Sequence, residues 1–122
     1  MRITQIDSFD LCDDKTERVW VHVWAEIIDG CLKISGQDLG NAPLEHFGSD
    51  EYEYWYDFSK KNTELLIKSL AKKETSIDRL AENENDIKKI LVEKFGGLKG
   101  CERLKEFCNQ NDIKYTFMSW IP

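Results

Sequence analysis

Apolar and polar residues alternate most cleanly between Val19 and Ile28, where Val19, Val21, Val23, Ala25 and Ile27 form one row and Trp20, His22, Trp24 and Glu26 the other. A period of two is that of an extended strand, and the apolar row predicts the side that faces helices. Asp29-Gly30 comes next and predicts a tight hairpin, because both residues tolerate the left-handed turn. Cys31 to Ser35 then predicts the returning strand, with Leu32 and Ile34 pointing one way and Cys31, Lys33 and Ser35 the other. Upstream, Ile3 to Phe9 predicts a first strand without a clean division of faces, followed by a polar turn at Cys12-Asp13-Asp14-Lys15-Thr16. From Gly36 through Asp50 the glycines and Pro43 predict a long loop.

The loop leads into Glu51 to Phe58, the stretch that organises the reading. Its alternation sets Tyr52, Tyr54, Tyr56 and Phe58 on one face and Glu51, Glu53, Trp55 and Asp57 on the other. The first set reads as a core wall. The second is too acidic to bury without partners and unusually aromatic for a solvent face. Helical periods take over from there. Ser59 caps a helix reaching about Lys72, with Thr63, Leu66, Ile67 and Leu70 on its inner stripe and Lys60, Lys61, Lys68 and Lys72 outside. A further helical segment starts near Thr75 or Ser76 and carries Ile77, Leu80, Ile87, Leu91 and Phe95, with Asp86 a possible cap for a separate helix. Gly96-Gly97 ends it, and Gly100 precedes a short helix bearing Cys101, Leu104, Phe107 and Cys108. Lys114 to Trp120 predicts a final strand that either joins the sheet edge or caps the core. The order predicts one α+β domain over residues 1–122: strands over 1–58, helices over 59–113 and a closing strand at 114–120. Its simplest architecture is a predominantly antiparallel sheet of four or five strands with two to four helices on one face.

Composition sharpens the picture through charge. The 122 residues carry a net charge of −6. Residues 1–58 hold thirteen acidic and four basic groups, a net of −9, whereas 59–122 hold ten and thirteen, a net of +3. An acidic strand-rich half repels nucleic-acid backbones and speeds encounter with a basic partner, as well as aiding solubility. No basic start followed by an apolar segment appears, and no apolar run approaches the roughly 20 residues needed to cross a bilayer. The expected compartment is the cytoplasm, with no direct nucleic-acid or membrane binding. Cys12, Cys31, Cys101 and Cys108 form no Cys-x-x-Cys motif and are expected to be free thiols.

Chemical motifs are sparse. His22 with Glu51, Glu53 and Asp57 supplies the minimum for proton transfer, and Glu51 with Glu53 has the spacing of a carboxylate pair, yet the same groups suit contacts to arginine or lysine. Asp10, Asp13 and Asp14 lack the order of a calcium loop, the two histidines lack a zinc motif, and the Gly96–Gly100 stretch matches no phosphate-binding pattern. No metal or cofactor is expected. Asp38, within Gly36-Gln37-Asp38-Leu39-Gly40, either stabilises a loop backbone or is presented to a partner.

The succession of Asp29-Gly30, Gly36-Gln37-Asp38-Leu39-Gly40, Glu51-Tyr52-Glu53-Tyr54-Trp55 and the helix after Ser59 resembles small bacterial immunity-like domains of polymorphic toxin and contact-dependent inhibition systems. The resemblance spans about residues 19–72. It implies a stoichiometric factor that neutralises a cognate protein toxin, a basic nuclease fitting the acid excess, by covering its active or substrate-binding surface. On this reading Asp38, Glu51, Glu53 and Asp57 pair with basic groups, and Trp20, Trp24 or Trp55 anchors the contact. His22 shares the strand face of Trp20 and Trp24 and is the remaining protein-binding candidate. The alternatives are a small acid-base hydrolase built on His22 and a carboxylate, and a homodimer closed by the tryptophan face.

Overall fold

The computed structural model describes residues 3–72 and 83–122. Its frame is an antiparallel sheet in simple sequential order: β1 (Ile6–Lys15), β2 (Val19–Ile28), β3 (Cys31–Gly40), β4 (Glu51–Asp57) and β5 (Thr116–Trp120). Among the described residues, four helices accompany it: α1 (Asn41–Phe47), α2 (Lys60–Ala71), α3 (Glu84–Phe95) and α4 (Gly100–Gln110). The α+β architecture with helices over one sheet face is the one the hydrophobic pattern predicts.

Two hairpins set the register of the first three strands. Thr16 closes the β1–β2 turn: its N–H donates to the Val19 carbonyl at 2.8 Å, and its hydroxyl accepts from the Arg18 and Val19 amides. Asp29 and Gly30 adopt φ of 52° and 78°, both positive as a two-residue hairpin turn requires, and Ile28 pairs with Cys31. The first strand both starts and ends later than the pattern indicates, at Ile6 rather than Ile3 and at Lys15, so that it takes in most of the turn expected at Cys12–Thr16. Register shifts between Ile6 and Phe9 and between Asp10 and Cys12 interrupt its alternation, so Leu11 and Cys12 are both buried despite being consecutive.

The expected loop from Gly36 is also revised. The third strand continues to Gly40, and α1 fills much of what remains, with Pro43 tolerated in its first turn and left-handed Gly48 closing it onto the Leu44 carbonyl. Gly36 is a strand residue because Tyr54, its partner on β4, lays its ring across it; a Cβ there would stand 2.1 Å from Tyr54 Cε2.

Helix α2 begins at Ser59, whose hydroxyl accepts from the Asn62 amide, and buries Thr63, Leu66, Ile67 and Leu70 as expected. Thr63 Oγ1 accepts the buried Leu32 N–H at 2.9 Å, fastening the helix to β3. The helix start expected near Thr75, with Ile77 and Leu80, lies outside the described residues. Asn83, not Asp86, caps α3: its Oδ1 accepts from the Asp86 amide. The core joins Val23, Ala25, Ile27, Leu32, Ile34 and Tyr56 of the sheet to Leu66, Ile87, Leu91 and Leu104 of the helices. Segment 116–120 joins the sheet edge beside β4 and does not cap the core. All four cysteines are free. Among the described residues no helix is long and apolar enough to cross a membrane.

Candidate functional site

Antiparallel partners share a face, so the registers determine what the side of the sheet opposite the described helices presents. One transverse row reads Asp10, Trp24, Ser35, Trp55 and Met118 from β1 to β5. The next reads Asp13, His22, Gln37, Glu53 and Trp120. Lys15, Trp20, Leu39 and Glu51 form a third, and Glu26, Lys33, Asp57 and Thr116 a fourth. All four tryptophans of the protein therefore stand on the face opposite the helices. With them stand six carboxylates against two lysines.

Local contacts hold this face in shape. Trp20 Nε1–H donates to Asp13 Oδ1 at 2.7 Å, His22 Nε2 lies 2.8 Å from Asp10 Oδ1, and the His22 and Trp24 rings are 4.7 Å apart. The Gln37 amide donates to Glu51, and Lys15 Nζ sits 5.8 Å from the Trp20 ring centroid. Trp24 and Trp55 flank Ser35 from the neighbouring strands and reduce it to 4% exposure. Trp20, Met118 and Trp120 keep 40%, 55% and 57% of their surface in solvent, a large apolar exposure for one face of a small protein. Beside Trp20 the face dips into a cavity of about 220 Å³ lined by residues that include Lys15, Arg18, Leu39 and Asn41.

Seven of the eight residues singled out from sequence, Trp20, His22, Trp24, Glu51, Glu53, Trp55 and Asp57, share this face. Asp38 does not. It pairs in register with Val21 and Tyr52 on the helix side, and its carboxylate accepts from the Tyr54 hydroxyl at 3.1 Å. Burial raises the pKa of Asp38, with the Tyr54 hydrogen bond opposing the shift. Burial likewise raises the Tyr54 and Tyr56 phenols, reinforced at Tyr54 by Asp38 and at Tyr56 by Cys101. The Cys101 thiol is pushed up to about 11, again chiefly by burial. The Tyr54 and Tyr56 phenols and the Cys101 thiol, held neutral in this way, tie β3, β4 and α4 together and make poor nucleophiles near neutral pH.

Histidine 22 meets Asp10 rather than the carboxylates of β4, from which β3 separates it. The pattern also missed Asp10, Asp13, Met118 and Trp120 as members of the surface. The bulges in β1 conceal the first two, and a final strand predicted without an assigned face conceals Met118 and Trp120. Asp10 and Asp13 turn to the open side and Asp14 to the other, and among the described residues no group of three or more His, Cys, Asp or Glu side chains is placed to hold a metal. Comparison with family models, with curated proteins and with solved structures gave no match, so the functional reading stands on this face.

Proposed function

We propose that the protein is a stoichiometric binding protein that receives a basic macromolecular partner on the open face of its sheet. The immunity-like resemblance gives that partner a class: a cognate toxin, a basic nuclease among the candidates, whose active or substrate-binding surface the sheet would cover. The observation that carries the reading is the gathering of all four tryptophans with six carboxylates on the side opposite the described helices. Tryptophan is enriched among residues that dominate binding energy, and its ring attracts the ammonium and guanidinium groups that the carboxylates also bind. A sheet surface presents both with little backbone to order on association. Acidic potential across it favours encounter with a basic protein and repels phosphate backbones.

The test is co-expression and titration with the product of a toxin-like gene beside its own. The reading expects protection and saturable one-to-one binding, weakened about tenfold or more, equivalent to about 1.4 kcal/mol, by E53K or D57K. D38N, on the opposite side, should leave affinity unchanged. Absence of both binding and protection would overturn the proposal, as would charge reversals that leave affinity untouched. The His22–Asp10 contact supports a second reading, a small acid-base hydrolase. That reading requires hydrolysis of an ester or amide substrate with a pH profile that H22Q abolishes without loss of folding.

A further inference from the structure

The two edges of the sheet are built differently. At one edge, β1 has two register shifts and carries Asp7, Asp10, Asp13 and Asp14 against a single lysine, devices that discourage another strand from pairing there. At the other, β5 pairs with β4 without interruption from Thr116 to Trp120, and among the described residues no strand lies on its outer side. Its sequence, Thr-Phe-Met-Ser-Trp, has no charge and no proline, and every residue in it is exposed. The nearby Lys114 is already engaged by Asp112 at 3.0 Å. Among the described residues this edge carries no bulge, charge, proline or covering strand, and its shortness is its one protection.

We infer that the outer edge of β5 pairs antiparallel with β5 of a second copy, closing a two-fold dimer with one continuous ten-stranded sheet. The strand's own sequence selects that occupant. Full overlap centres the pair on Met118, which then sets Trp120 of one copy against Thr116 of the other on the open face. On the helix face the same register sets Phe117 against Ser119. Both cross-strand pairs match a bulky side chain to a small one, as a self-complementary contact requires. A neutral strand meets its copy without repulsion, whereas stacking two copies through their acidic faces would oppose six carboxylates to six. Pairing β5 with β1 would build an open filament and meets the bulged, acidic edge instead. The merged faces would present the tryptophans and carboxylates of both copies on one side.

A contact this small predicts weak, concentration-dependent association rather than an obligate dimer. Sedimentation velocity of the full chain from low-micromolar to near-millimolar concentration should show a monomer–dimer transition. M118K and M118E place like charges directly opposite each other at the two-fold axis, so each alone should stay monomeric where wild type is mostly dimer. An equimolar mixture of the two should restore the dimer as a heterodimer. Met118 is exposed in the monomer, and circular dichroism checks that both variants fold. Deuterium exchange of wild type needs no substitution: amides at 116–120 should gain protection as concentration rises. A wild type that stays monomeric throughout overturns the inference, as does a dimer that persists in both single variants or unchanged protection at 116–120. Any of these failures would leave toxin binding by the sheet face standing, because that test titrates a toxin and reads substitutions of Glu53 and Asp57 on β4.

Discussion

Replacing Gly36 with alanine tests the packing that fixes β4 against β3. The new methyl carbon would stand 2.1 Å from Tyr54 Cε2, 2.2 Å from Cζ and 2.6 Å from the hydroxyl, so the ring must leave its place. Tyr54 is only 8% exposed and continues an aromatic series, 5.5 Å from Tyr52 and 6.3 Å from Tyr56. Overpacking of this kind costs about 1–3 kcal/mol, and displacement of the Tyr54–Asp38 hydrogen bond adds about 1 kcal/mol. Against this, alanine in an unstrained strand is favoured over glycine by about 0.5–1 kcal/mol. The net destabilisation is about 1–3 kcal/mol. With a urea slope of about 1–3 kcal/mol per molar for a small domain, the unfolding midpoint should fall by about 1 M. Adding Tyr54→Val removes all three contacted atoms while keeping a strand-forming side chain. In that background G36A should become neutral or stabilising, so the coupling between the two sites carries the argument. A G36A protein as stable as wild type, or an equal loss in both backgrounds, would refute it.

Three other outcomes follow from buried groups. Asp38→Asn keeps an acceptor for Tyr54 and removes a charge whose burial raises its pKa. A native pKa above the unfolded one gives stability that is fully present below the unfolded value and lost as pH rises through the native value, so D38N should gain on wild type as urea midpoints are followed from acid to neutral pH; a pH-independent difference would refute this. Burial pushes Cys101 and Cys108 up to about 11 and raises Cys12 as well, so an aromatic disulfide reagent at mildly alkaline pH should leave these three thiols unmodified until urea unfolds the chain. Rapid native modification of all four would contradict their packing. Thr63→Val should cost about 1–3 kcal/mol in urea unfolding by stranding the Leu32 N–H, while Thr63→Ser should recover most of it.

The pattern of side chains disclosed most of the fold where alternation is unbroken and misread it where a local feature has a non-local cause. Val19–Ile28, the Asp29-Gly30 turn and the stripe of α2 follow from local periodicity and turn geometry, and the structure matches each. Alternation alone ends β1 at Phe9, because its bulges place Leu11 and Cys12 on the core side together, which no period-two pattern allows. Gly36 and Gly40 looked like loop punctuation. One is the floor beneath Tyr54; the other takes φ 127°, where a Cβ would come within 2.8 Å of the Arg18 carbonyl oxygen, and starts α1. In both cases the reason for glycine lies on a different strand or turn, beyond the reach of a window along the chain.

The candidate site was half legible for a related reason. Alternation states which residues of one strand share a side, but register decides whether the sides of two strands coincide. The two-residue turn at Asp29-Gly30 fixes Ile28 opposite Cys31, and that alone carries Trp24 opposite Ser35 and His22 opposite Gln37. The next step depends on Gly36, since Tyr54 can lie flat over β3 only where that strand lacks a Cβ. A slip of one residue would send Trp55, Glu53 and Asp57 to the helix side and turn three tyrosines to solvent. The same glycine that looked like the start of a loop therefore brings the tryptophans of β2 and β4 to one surface. It also explains Asp38: with Tyr54 seated on Gly36, the carboxylate two residues along β3 must share Tyr54's side, where it meets the phenol rather than a partner.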